Sequence, residues 1–197
     1  MAARHIPWLW FLSAFLFAPG SVHAQRVTRP PPDSLRHIQS AIPLSGPPGT
    51  EVEIFTENLQ LEARIWFGVG RVGAGFEVVS EGTQGQWGAV RGTALIPPTA
   101  SWDQPLVLIV LNAVFSPVAL SAPFHVTDEE GNVRRSGSFA TDSARCPILR
   151  DGDGYLYYLS GAVGEVRLGD VLTVEGRYSE MSDCGEGGSI EVVRRSG

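Results

Sequence analysis

The chain contains no lysine, and the absence excludes some chemistry at once. Schiff-base catalysis and a phosphate-binding P-loop both need a lysine amine. Histidine is scarce, with four in the chain, and cysteine scarcer, with two. No His-x-x-x-His or Cys-x-x-Cys spacing occurs, so neither a zinc site nor a thioredoxin-type redox pair has its ligands. Cationic clusters are missing too. The net charge is −6, which disfavours a nucleic-acid partner, because neutralising phosphates takes clustered Lys and Arg. Beyond the N-terminus no apolar run reaches membrane-spanning length. Pro105-Leu-Val-Leu-Ile-Val-Leu111 is too short and reads as a buried strand.

What is present begins with a leader. Arg4 precedes an apolar run from Ile6 to Ala18, and Val22 and Ala24 sit at small-residue cleavage positions. This predicts a secretory signal peptide over residues 1–24, and with it a periplasmic or secreted protein with no stable membrane span after cleavage. Removing it leaves 21 Asp+Glu against 14 Arg. In an oxidising compartment Cys146 and Cys184 are expected to pair as a structural disulfide. Residues 25–37 follow as a Pro- and Arg-rich lead, whose three consecutive prolines favour an extended linker.

From Ile38 the pattern turns to period two. Val52 and Ile54 share one face, Ile65 and Phe67 another, and Phe76 and Val78 a third. No stretch sustains a 3.6 period. Ser45-Gly46-Pro47-Pro48-Gly49 cannot be helix or central strand, so it reads as a rigid turn into the strand at Thr50. Ile42-Pro-Leu-Ser-Gly-Pro-Pro-Gly-Thr-Glu-Val-Glu-Ile54, then Asn58, Ile65-Trp-Phe-Gly68 and Leu95-Ile-Pro-Pro-Thr-Ala100 occur in that order. This series resembles the IPT/TIG family over about residues 38–128. The resemblance implies an immunoglobulin-like sandwich. Phe55-Thr-Glu-Asn58 lacks the glycine that family members carry before the asparagine.

A second unit is expected over residues 129–197. Its candidate strands are Asn132 to Phe139, Arg145 to Leu149, Tyr155 to Ser160, Val171 to Tyr178 and Ser189 to Arg194. Five strands in so short a span point to a small OB-like barrel, and the segment resembles small OB-like domains appended to secreted bacterial proteins. The arginines of Val133-Arg-Arg-Ser-Gly137 and of its repeat, Val193-Arg-Arg-Ser-Gly197, are expected on the solvent side. The fold class expected overall is all-β: an immunoglobulin-like sandwich followed by an OB-like barrel.

Asp151-Gly-Asp-Gly154 raises a calcium loop as an alternative to a turn. Counting from Asp151, positions 5, 6 and 12 are Tyr155, Leu156 and Ala162. None fits a helix-loop-helix calcium site, so a strand-joining turn is the expectation, with a weak surface cation site as the rival. His37 and His125 are the histidines outside the leader, and His125 is expected to face solvent. No catalytic residue, cofactor or metal is assigned. Trp66, Tyr155 and Tyr157 are the candidate contact residues, since exposed aromatics anchor partners or stack on ligands. The function expected is a non-catalytic binding or adhesion module with an envelope protein as partner. Carbohydrate recognition in the service of an enzyme, with a polysaccharide partner, is the alternative, and a small hydrolase is third.

Overall fold

The computed structural model describes residues 35–141, 146–185 and 187–197. The expected signal peptide and most of the Pro-rich lead lie outside them. The fold is all-β, with fourteen strands among the described residues. The first nine are β1 (Arg36–His37), β2 (Ser40–Ile42), β3 (Ser45–Gly46), β4 (Glu51–Thr56), β5 (Ile65–Gly70), β6 (Phe76–Gln84), β7 (Val90–Leu95), β8 (Pro105–Leu111) and β9 (Pro117–Val126). They form one sheet in the order β1-β9-β8-β5-β6-β7-β4-β2, with β3 also on β9. The sheet curls over at β6. This strand pairs with β5 from Phe76 to Gly82, and its backbone pairs with β7 at Thr83 and Gln84. Two layers result, as in an immunoglobulin-like sandwich.

Alternation fills the space between the layers. Val52, Ile54, Ile65, Phe67, Val90, Leu108, Val110 and Phe124 are buried together. Phe67 lies against the bare backbone of Gly82 and Gly92, where an added Cβ would stand 2.8 and 2.4 Å from its ring. β8 is apolar throughout because both its faces are covered. Its outer residues Val107, Ile109 and Leu111 pack with Trp66, Phe76 and Leu120. Arg36 and His37, expected in the lead, instead pair in parallel with Ala119 and Leu120 of β9.

The remaining strands are β10 (Asn132–Thr141), β11 (Ile148–Asp151), β12 (Leu156–Gly161), β13 (Val171–Ser179) and β14 (Ser189–Ser196). They close into a barrel in the order β10-β11-β12-β14-β13. All neighbours are antiparallel except β12 and β14, which run parallel. Val133, Phe139, Leu149, Leu159, Val174, Ile190 and Val192 fill it. Cys146 and Cys184 are bonded, with Cα atoms 5.8 Å apart. The disulfide ties the start of β11 to the connection between β13 and β14, and points to a non-reducing environment.

The expectation that both arginines of Val133-Arg-Arg face solvent is corrected. Arg134 is exposed, but Arg135 is fully buried. Alternation along β10 turns Arg134 outward and Arg135 inward beside Val133, whereas Arg194 and Arg195 near the end of β14 are both exposed as expected. His125 is corrected as well. It is buried, because the barrel packs against the end of β9 where open surface was expected.

Candidate functional site

Strand register brings three connections to one end of the sandwich. Thr56, last in β4, pairs with Val90, first in β7, and Gln84 at the end of β6 pairs with Val90 too. Trp66 near the start of β5 pairs with Leu111, last in β8. Residues 57–64, 85–89 and 112–116 therefore meet at this end. The barrel leaves from the opposite end, where His125 of β9 pairs with Pro105 of β8.

The three loops are held by hydrogen bonds within and between them. Asn58 and Leu59 donate their backbone N–H groups to the carbonyls of Trp87 and Gly88, each at 3.2 Å. The Gln84 amide accepts from the Glu62 N–H at 2.7 Å and donates to the Gln60 carbonyl at 2.8 Å. Gly88, at φ 67, passes so close to Leu59 that a Cβ there would lie 1.8 Å from its carbonyl oxygen. In the third loop Asn112 Oδ1 accepts from the N–H groups of Val114 (3.1 Å) and Ser116 (2.9 Å).

Each loop holds one non-glycine residue in the left-handed region: Asn58 (φ 61), Trp87 (φ 62) and Phe115 (φ 59). Among the described residues no other non-glycine residue has positive φ. Asn tolerates this conformation. For Trp and Phe it costs on the order of 1–2 kcal/mol each. Nor does packing offset that cost at Trp87, which is 85% exposed. Leu61 in the first loop and Val114 and Phe115 in the third are exposed at the same end of the sandwich. No residue of the three loops lines the clefts found on the barrel and at the sandwich–barrel junction. The loop end thus presents projecting apolar side chains on a fixed backbone.

Trp66, named from sequence, borders this end. It is half-buried rather than open. Phe115 stacks on it with ring centroids 5.5 Å apart, and the Arg64 guanidinium lies 5.6 Å from its ring centre. Its indole nitrogen is buried without a hydrogen-bond partner. Trp87, rather than Trp66, is the open ring at this end. The available signal was its setting, Gly85-Gln-Trp-Gly88, where a large apolar ring occupies a turn between two strands.

The structure separates Tyr155 from Tyr157. Tyr155 is half-buried at the sandwich–barrel junction, whereas Tyr157 is in the barrel core. The Tyr157 hydroxyl donates to Asp151 Oδ2 at 3.1 Å, and Asp151 Oδ1 accepts the N–H groups of Asp153 (3.0 Å) and Tyr155 (2.8 Å). That resolves Asp-Gly-Asp-Gly: the Asp151 carboxylate caps the turn and serves the core. Asp153 reaches Arg71 of the sandwich at 3.4 Å. Among the described residues no group of three or more His, Cys, Asp or Glu could hold a metal ion.

Tyr157 also belongs to a buried clasp between sandwich and barrel. Arg135 Nε donates to its hydroxyl oxygen at 3.2 Å. Arg135 Nη1 donates to the carbonyls of Trp102 (2.6 Å) and Arg134 (2.7 Å), and Nη2 lies 3.2 Å from His125 Nδ1. Tyr178 stacks on His125 with centroids 3.9 Å apart. Burial, helped by the Arg135 charge, lowers the His125 pKa to about 3, so the ring is neutral and its Nδ1 accepts. Burial likewise raises the Tyr178 pKa to about 12 and lifts that of Tyr157. The guanidinium thus has an acceptor on each of its three nitrogens, and its charge is balanced through Tyr157 by Asp151.

No protein-family model matches the chain, and no curated protein matches it. Among the described residues no helix is long and apolar enough to cross a membrane.

Proposed function

We propose that the protein is exported and acts as a non-catalytic interaction module, binding a protein partner through the loop end of its sandwich. The observation that carries this reading is the placement, among the described residues, of every non-glycine left-handed residue, one per loop, at the end that exposes Leu61, Trp87, Val114 and Phe115. Backbone strain at a solvent-exposed tryptophan contributes nothing to folding, and such strain is concentrated at binding sites. Tryptophan is also the residue most enriched among binding hot spots. The projecting shape suits a partner that brings its own concavity. Export is supported by the disulfide together with the leader-like N-terminus. An IPT/TIG-type sandwich is supported by the two-layer strand order and by the left-handed turn at Asn58.

One observation favours carbohydrate as a second reading: the open face of Trp87 is a stacking platform for a sugar ring. Capture from envelope extract separates the two, with residues 25–197 as bait and Trp87→Ala as control. The proposal expects one protein retained by the wild-type chain and lost with the variant. Retention of polysaccharide instead, or of the same protein by both baits, contradicts it.

A further inference from the structure

We infer that the Phe115 ring is a displaceable cover on Trp66, and that by moving it the loop end offers Trp66 to an aromatic side chain of the partner. This rests on the reading of the loop end as a binding surface and deepens it. Trp66 pairs with Leu111 of β8 on one side and with Glu81 of β6 on the other. The loop of residues 112–116 begins next to Leu111, so Trp66 stands at the root of that loop. Its ring packs on the outer apolar cluster of Val107, Ile109 and Leu111. Phe115 stacks on it with 29° between the ring planes, and Phe115 is itself 40% exposed.

Two costs weigh against the covered arrangement. Phe115 reaches the ring from a left-handed backbone, φ 59. The free energy lost to that conformation is of the same order as an aromatic stack contributes. The stack therefore adds little to folding, as the strain at Trp87 adds nothing. The second cost is the Trp66 indole nitrogen, buried with no hydrogen-bond partner. An unpaired buried donor is unfavourable, and an opening that admits water relieves it. The moving part is the side chain. Asn112 fixes the loop backbone: its Oδ1 accepts from Val114 and Ser116, and its N–H donates to the Ser116 carbonyl at 3.0 Å. The ring leaves by rotation about its Cα–Cβ bond, a fast motion for a partly exposed side chain. The slot it vacates has the footprint of one phenyl ring and the Trp66 face as its floor, which fits an incoming aromatic ring.

Hydrogen exchange of the indole N–H groups, followed by NMR on residues 25–197, tests this. Trp66, Trp87 and Trp102 supply the signals. The Trp66 proton is expected to exchange at a rate that urea below the unfolding transition leaves unchanged, because rotating one ring exposes little new surface. Phe115→Gly suits the left-handed turn and removes the cover, so it should raise that rate at least about tenfold. Phe115→Tyr keeps a ring and should exchange as wild type does. Para-cresol, a free stand-in for a tyrosine side chain, should shift the Trp66 signal in Phe115→Gly and leave that of Trp102 in place. A Trp66 proton that exchanges only through global unfolding, its rate climbing with urea like that of the backbone amide of buried Phe67, overturns the inference. So does a Phe115→Gly chain whose exchange matches wild type or whose Trp66 signal ignores para-cresol. These results are read with no partner present, so they stand apart from the capture experiment, which decides the loop end as a binding surface.

Discussion

Replacing Arg135 with alanine should uncouple the sandwich from the barrel. The side chain is fully buried and joins the two: Trp102 and His125 belong to the sandwich, Tyr157 to the barrel. Truncation strands the His125 nitrogen, while the Trp102 carbonyl keeps the Arg134 N–H and the Tyr157 hydroxyl keeps Asp151. A stranded buried group costs about 1–3 kcal/mol, and the space left by a fully buried side chain adds to it. Water entering the space offsets part of this, so a net loss of about 3–5 kcal/mol is expected, as for breaking a buried charged pair. The chain carries its own reporters. Trp66, Trp87 and Trp102 lie in the sandwich, and all four tyrosines lie in the barrel. Urea unfolding followed by tryptophan fluorescence and by tyrosine absorbance should coincide in the wild type and separate in Arg135→Ala. Arg135→Lys should not rescue the coupling, because an ammonium cannot reach the acceptors served by three guanidinium nitrogens. A loss below about 1 kcal/mol with coincident transitions would refute the reasoning.

Further expectations concern the clasp, the disulfide and the loop end. With a His125 pKa near 3 in the fold and 6.5 as the unperturbed value, neither folded nor unfolded chain protonates the ring above pH 6.5. Between 6.5 and about 3 only the unfolded chain does, so stability should fall with pH by up to about 1.4 kcal/mol per unit. His125→Gln keeps an acceptor for Arg135 and should flatten that slope, as urea midpoints measured across the range will show. Reducing Cys146–Cys184, which spans 38 residues, should cost the barrel about 3–4 kcal/mol on the chain-entropy model, seen as an earlier tyrosine transition in reductant. Trp87→Gly relieves a left-handed residue and should leave the melting temperature unchanged or raised while abolishing capture of the partner. Gly88→Ala should lower it, because the added Cβ collides with the Leu59 backbone.

The strands were legible because half-buried sheets print a period of two. Val52/Ile54 and Ile65/Phe67 need nothing else, and Leu106 to Leu111 announces a strand covered on both faces. The disulfide was expected from two cysteines and a leader-like N-terminal sequence. The clasp was hidden in that same periodicity. Val133 and Arg135 share a face by simple alternation, yet an arginine at a core position is too rare to expect without its acceptors, which come from residues 102, 125 and 157. His125 became buried through contact with the barrel, a tertiary event that no local pattern encodes. The loop end was illegible for a similar reason. Asn58, Trp87 and Phe115 are far apart in sequence, and only strand register brings their loops together.

The most direct test of the loop end is photo-cross-linking in the cells that make the protein. A photoreactive residue replaces Trp87 in one variant and Met181, 82% exposed on the barrel, in another. The account predicts a cross-linked protein product from position 87 and none from position 181. A product from position 181 alone would contradict it.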